Sequence, residues 1–217
     1  MEYQYTDEPR PEILRMIPPD GHVIGSVGCG WAATEWVLAK QGRTLHGVDV
    51  SAEAIAVAST RLATARVVDP ATSSYFPDES LDGLILADAL EHIPQAWTAL
   101  ANLAKAVKPG GWVVISVPNM QSLGVCVQLG LLGDWPEKEI GLFDKTHIQM
   151  TTRRRLLRWC DGAGIELVRW FDKYDHPPRG RAMEIADKIT LGLFHDWLAY
   201  QWQGVFRKRQ PLSTAKS

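Results

Sequence analysis

Short uninterrupted apolar runs recur along this chain between longer stretches whose apolar residues return every three or four positions, so the pattern predicts strands and helices in turn. The runs at 23–27, 45–50, 81–87 and 112–117 read as buried strands, and 66–68 as a shorter one. Between them, 31–40, 52–63 and 95–107 read as helices. Gly42 stops the first, Ser51 caps the second, and Lys108-Pro109-Gly110-Gly111 breaks the chain after the third. Upstream, a polar, proline-marked opening holds a short helix at 12–16 before Pro18-Pro19-Asp20-Gly21. Beyond Pro118 the pattern predicts a helical stretch at 122–132, a loop at 133–150, a helix at 152–161 and a strand at 165–171. A further helix, a last strand at 200–207 and a polar tail at 210–217 complete the chain. This alternation implies an α/β fold: a Rossmann-like, doubly wound sheet of mostly parallel strands, with ligands at their carboxyl ends.

The bulk numbers narrow the class without naming it. With 217 residues, of which 46% are hydrophobic and 22% charged, the chain can bury one sizeable core, which implies one domain over 1–208. A formal net charge of -2 argues against a general nucleic-acid binder, since phosphate neutralisation needs a basic face. Cys29, Cys126 and Cys160 are far apart and outside metal-ligand spacing, so neither a disulfide framework nor a metal site is expected. The opening is acidic and polar, and no apolar run reaches the roughly 18 residues of a membrane span. The expectation is a soluble cytoplasmic protein without membrane partners, monomeric or homodimeric.

Chemistry concentrates in Val23-Ile24-Gly25-Ser26-Val27-Gly28-Cys29-Gly30, followed by Gly47-Val48-Asp49-Val50-Ser51. Gly28 and Gly30 allow a sharp turn close to a ligand, and Asp49, ending the next strand, is placed to accept ribose hydroxyls. Two ligand classes fit. Gly28, Gly30 and Ala33, with Asp49 falling 21 residues after Gly28, satisfy the loose dinucleotide fingerprint of a nicotinamide oxidoreductase; the same layout holds S-adenosylmethionine. No tyrosine is followed four positions later by lysine, so a short-chain dehydrogenase pair is absent.

An ordered series carries a resemblance to a known family: Gly28-Cys29-Gly30, Gly47-Val48-Asp49-Val50-Ser51, Phe76-Pro77-Asp78-Glu79-Ser80-Leu81-Asp82, Leu90-Glu91-His92-Ile93, Lys108-Pro109-Gly110-Gly111 and Ser116-Val117-Pro118-Asn119. Over residues 3–208 it resembles the class I S-adenosylmethionine-dependent methyltransferases. Gly141-Leu142-Phe143-Asp144-Lys145-Thr146-His147-Ile148 and Thr151-Thr152 look like a branch associated with glycan, polysaccharide and natural-product genes. The resemblance implies a seven-stranded sheet whose last strand, 200–207, is inserted antiparallel. It also implies S-adenosylmethionine as cofactor, held by Gly28, Cys29, Gly30, Asp49, Val50, Asp69, Pro70 and Ala87. Asp49 would bind the ribose, Asp69 would approach the adenine amino group, and Ala87 would line the methionine side. Residues 1–20, with Tyr5 and Arg10, would form a lid, and 120–162 and 173–198 would face the acceptor. Two positions depart from the family: Ser26 stands where an acidic residue is usual, and Ala32 where a further glycine is usual. The serine removes a negative charge near the amino acid end of the cofactor.

The resulting expectation is a metal-independent O-methyltransferase acting on a small hydrophilic acceptor such as a sugar or glycan precursor. The alternatives are a non-catalytic cofactor-binding accessory subunit and the oxidoreductase. His92 and His147, the latter beside Asp144, are the candidate bases; a helix-start histidine bonded to backbone and a loop-anchoring pair are the competing roles. Arg153, Arg154, Arg155 and Arg158 open a helix and suggest either phosphate binding or a solvated face. The tryptophan-bearing stretch 191–202 is expected to pack its apolar side on the core.

Overall fold

The computed structural model describes residues 5–72, 74–174 and 179–210, apart from the side chain of Asp172. Tyr3, Gln4 and positions 211–217, expected as lid and tail, lie outside the described residues. Seven strands form one sheet in the order β3-β2-β1-β4-β5-β7-β6. They are β1 (Val23–Val27), β2 (Thr44–Asp49), β3 (Thr64–Val67), β4 (Leu81–Ala87), β5 (Val107–Pro118), β6 (Ile165–Lys173) and β7 (Gln201–Lys208). β7 runs antiparallel between β5 and β6, whereas β1 to β5 pair parallel. The inserted antiparallel last strand is therefore as expected.

Among the described residues, eight α-helices connect and flank the strands: α1 (Pro11–Leu14), α2 (Ala33–Lys40), α3 (Ala52–Ala58), α4 (Ala96–Ala106), α5 (Leu123–Gly130), α6 (Arg153–Gly162), α7 (Arg179–Ile189) and α8 (His195–Leu198). Ser51 caps α3 by accepting the Ala54 N–H. That helix ends well before residue 63, because the Ser59 and Thr60 hydroxyls bond back to the Ile55 and Val57 carbonyls and the chain turns there. The break at Lys108-Pro109-Gly110-Gly111 lies inside β5 rather than before it: Leu81 pairs with Val107, and the register shifts before Gly83 pairs with Trp112.

The period-2 alternation of the central strands feeds two cores. On β4 and β5, Leu84, Leu86, Val113, Ile115 and Val117 join the cluster that includes α4 and α6, while Ile85, Trp112 and Val114 join Ile13, Leu38 and Leu45 on the other face. Both faces of the sheet are thus covered. Trp112 is fully buried against Gly83, where an added Cβ would lie 2.2 Å from its ring, and it donates its indole N–H to the Asp20 carbonyl.

Two of the arginines at the start of α6 act locally, and Arg154 and Arg158 are exposed. Arg153 stacks over Trp170 and reaches Asp196, and Arg155 stacks over Trp159 while donating to Gln149 and the Met150 carbonyl. The stretch 191–202 differs from expectation. Leu191, Leu193, Phe194 and Trp197 are exposed, since α8 is a single turn and cannot present a whole face; only Ala199 and Trp202 enter the core. Among the described residues no helix is long and apolar enough to cross a membrane.

The segment before β1 is clamped by charge. Glu12 accepts from Lys173 of β6 at 2.7 Å and from Arg10 at 3.2 Å. Burial would raise its carboxyl, but these bonds and charges outweigh it and bring the group down to about 2.

Two predictions follow from this packing. Because the folded-state value of Glu12 lies below its unfolded one, its contribution is complete above pH 4.5 and fades as pH falls toward about 2. Glu12→Gln is expected to lose about 1 kcal/mol at neutral pH and to flatten this acid limb, read by urea unfolding at a series of pH values. Gly83→Ala is expected to cost ~3 kcal/mol by overpacking, whereas Gly124→Ala in α5, where a Cβ meets nothing within 4 Å, should be neutral or gain up to ~1 kcal/mol in the same melts.

Candidate functional site

β2 ends in Asp49, and its carboxylate ties three segments together. Oδ2 accepts the Gly30 N–H at 2.8 Å; Oδ1 accepts the Ser51 N–H at 2.9 Å and the Tyr5 hydroxyl at 2.8 Å. The residue is buried. The turn that delivers Gly30 needs left-handed backbone, with φ +69 at Gly28 and +53 at Gly30. A Cβ on Gly30 would also lie 2.7 Å from the Tyr5 ring. Ala32 adopts φ 58, the left-handed region that explains why a glycine is usual there.

Two adjoining cavities, of about 150 and about 140 Å³, flank the turn and share Tyr5 and Gly28 as lining. Cys29, Gly30, Arg10, Glu35 and Ala87 line the first; Asp49, Val50, Pro70, Asp88 and His92 line the second. The structure thus gathers every expected cofactor residue except Asp69. That side chain is exposed and its Oδ1 accepts the Ala71 N–H at 2.8 Å, while its neighbours Val68 and Pro70 line the second cavity. The donor set fits a nucleoside: Asp49 already accepts one hydroxyl, and Val50, Val68 and Ile93 supply apolar surface beside it. Burial, with Glu35 and Asp49 nearby, pushes the Cys29 thiol far up, so it packs as a neutral group.

Arg10 and Tyr5 meet the site as a lid would. Arg10 holds Asp88 at 2.9 Å and its backbone N–H donates to Thr34. Asp88, just after β4, has φ 56 and also accepts from Ser116 of β5 and Gln201 of β7.

The two histidines lie together, with ring centroids 5.0 Å apart. His92 is within 3.0 Å of the Thr146 hydroxyl oxygen. Asp144, expected to orient His147, instead accepts the Thr146 N–H and hydroxyl at 2.8 and 2.7 Å. The carboxylate nearer His147 is Glu91, whose Oε1 lies 4.0 Å from Nε2. Glu91 is buried and its Oε2 has no hydrogen-bond partner; burial, then the charge of Asp88, raise it well above the ordinary carboxylate range. Burial and the adjacent His92 lower His147, which keeps its ring neutral at neutral pH.

Sequence reasoning missed Glu35, Asp88 and Glu91. Asp88 and Glu91 directly follow the strand 81–87, whose carboxyl end was already expected to face the ligand. Glu35 lies inside a helix, where one acidic residue among apolar neighbours carries no distinguishing signal.

Comparison with known proteins finds similarity to methyltransferases. Residues 26–115 match the family described as a methyltransferase domain. The chain is 25% identical over 157 residues to a protein of Leptothrix cholodnii named ubiquinone biosynthesis O-methyltransferase, covering 68% of this chain and 66% of that one. It is 24% identical over 200 residues to the 2-methyl-6-phytyl-1,4-hydroquinone methyltransferase of a Synechocystis species, covering 89% of this chain and 57% of that one. The aligned part thus spans about half to two thirds of the curated relatives. A crystal structure of an S-adenosylmethionine-dependent methyltransferase from Mesorhizobium loti shares the fold at 16% identity, with a TM-score of 0.63 over 91% of this chain and 96% of that one. Of the two ligand classes left open by glycine spacing, the methyltransferase domain matched over 26–115 and the relatives named methyltransferases favour S-adenosylmethionine over a nicotinamide, and the solved structure shares the fold.

Proposed function

We propose that this protein transfers the methyl group of S-adenosylmethionine to a hydroxyl oxygen of a small acceptor. The observation that carries the reading is the Asp49 carboxylate, fixed by two backbone N–H groups at the mouth of a cavity that also holds His92. When bound, the cofactor supplies a methyl made electrophilic by its positive sulfur. Asp49 would hold the ribose, with Gly28 and Gly30 allowing close approach and Val50 and Pro70 flanking the base. Tyr5 and Arg10 would cover the site and exclude water.

The acceptor hydroxyl must lose its proton as the new bond forms. His92 faces the cavity and His147, held neutral, stands behind it, so the pair provides the proton-accepting nitrogen; the buried Glu91 carboxyl lies 4.0 Å from Nε2 of His147. Asp144 enters indirectly, by fixing Thr146 against His92.

The acceptor reading is a hydroquinone or related phenol carrying an apolar substituent. It is supported by the names of the aligned relatives and by exposed apolar side chains on the segments expected to face the acceptor: Leu131, Leu132, Leu191 and Leu193. A sugar or glycan precursor is the second reading, supported by the resemblance of 141–152 to that branch.

Calorimetry with S-adenosylhomocysteine is expected to show binding that Asp49→Ala weakens about 100-fold, roughly 3 kcal/mol. Absence of binding by the unaltered protein at millimolar ligand would overturn the reading. With labelled S-adenosylmethionine, transfer to alkylated hydroquinones should exceed transfer to nucleotide sugars, and His147→Gln should lower kcat about 100-fold while leaving S-adenosylhomocysteine affinity unchanged. Binding without transfer to any acceptor would favour the accessory-subunit reading.

A further inference from the structure

Glu35 is an acidic residue in the first turn of α2, and it is buried. It is 6% exposed, lines the first cavity, and its Oε1 accepts the Ser26 hydroxyl at 2.6 Å. Among the described residues no arginine or lysine lies within ion-pairing distance of it. A carboxyl buried with only a hydroxyl for side-chain partner is costly, and the cost is recovered when a cation occupies the adjoining space.

The order of the cavities says which cation. With the ribose at Asp49 and the base beside Val50 and Pro70, the second cavity is taken by the nucleoside, and the remaining arm of the cofactor passes Gly28 into the first. That arm ends in an α-amino acid. The ammonium there is the cation that Glu35 can meet, and Ser26, the position where this family usually carries the acidic residue, holds the Glu35 carboxyl in place.

Resting on the reading of the site as an S-adenosylmethionine pocket, we propose that Glu35 is the ammonium receptor for the methionyl end of the cofactor, the negative charge having moved from the end of β1 to α2. The groups that set its charge are few. Burial raises the carboxyl and nearby Asp49 raises it further, while the Ser26 bond, a backbone bond and Arg10 lower it, and an ammonium beside it would favour the ionised form. The arrangement makes recognition of the amino acid end separable from recognition of the nucleoside.

The test measures binding of S-adenosylhomocysteine and of 5′-methylthioadenosine, which keeps the nucleoside and lacks the amino acid. Glu35→Gln, which can still accept the Ser26 hydroxyl, is expected to raise the Kd for S-adenosylhomocysteine 10- to 100-fold and to leave that for 5′-methylthioadenosine within about twofold. Adding Ser26→Asp to that variant should recover at least part of the lost affinity. An unchanged Kd for S-adenosylhomocysteine overturns the proposal, and so does equal weakening of both ligands, which would mark Glu35 as merely structural. If the unaltered protein binds neither compound, the cofactor reading itself fails; if it binds both equally, only the assignment of Glu35 does.

Discussion

The hydrogen bond from the Gly30 amide to Asp49 is the constraint around which the site is built. It joins the turn after β1 to the carboxyl end of β2, and it requires Gly30 to adopt a positive φ. Because the same carboxylate also accepts from Ser51 and Tyr5, the start of α3 and the N-terminal segment are placed by one group. A buried carboxylate satisfied by three donors is rigid, and rigidity is what a binding residue at a strand end requires.

A second network, centred on Asp88, organises the opposite wall. Arg10 from the N-terminal segment, Ser116 from β5 and Gln201 from β7 all converge on this side chain, whose backbone is held left-handed. Between Asp49 and Asp88 the two cavities are closed by residues distant in sequence, and Tyr5 and Gly28 lie on the boundary. The proposed roles of His92 and Glu35 follow from this division: one faces the nucleoside cavity, the other lines its neighbour.

The strands and the glycine turn were legible because strand burial on two faces writes continuous apolar runs and because a tight turn demands particular residues. β1 and β4 fall where the pattern places them, and β7 is inserted antiparallel as the family resemblance implied. What the sequence could not show was partnership. Asp144 sits beside His147 in sequence but serves Thr146, and the carboxyl near His147 comes from Glu91, 56 positions earlier (147 − 91). Asp69 has suitable spacing but bonds to its own turn. Competition among side chains in three dimensions decided the first outcome and a local bond to the Ala71 backbone the second, and spacing alone carries no record of either.

The position of β7 has a consequence for how the molecule is made. β5 is translated long before the strand that pairs with it, and until residues 201–208 arrive its outer edge offers unpaired amides and carbonyls over a largely apolar length. Gln201, which steadies Asp88, arrives on that same late strand. A nascent chain therefore assembles its glycine turn early, while the opposite side of the pocket stays unfinished and adhesive until residues 201–208 emerge, an interval in which a chaperone has something to hold.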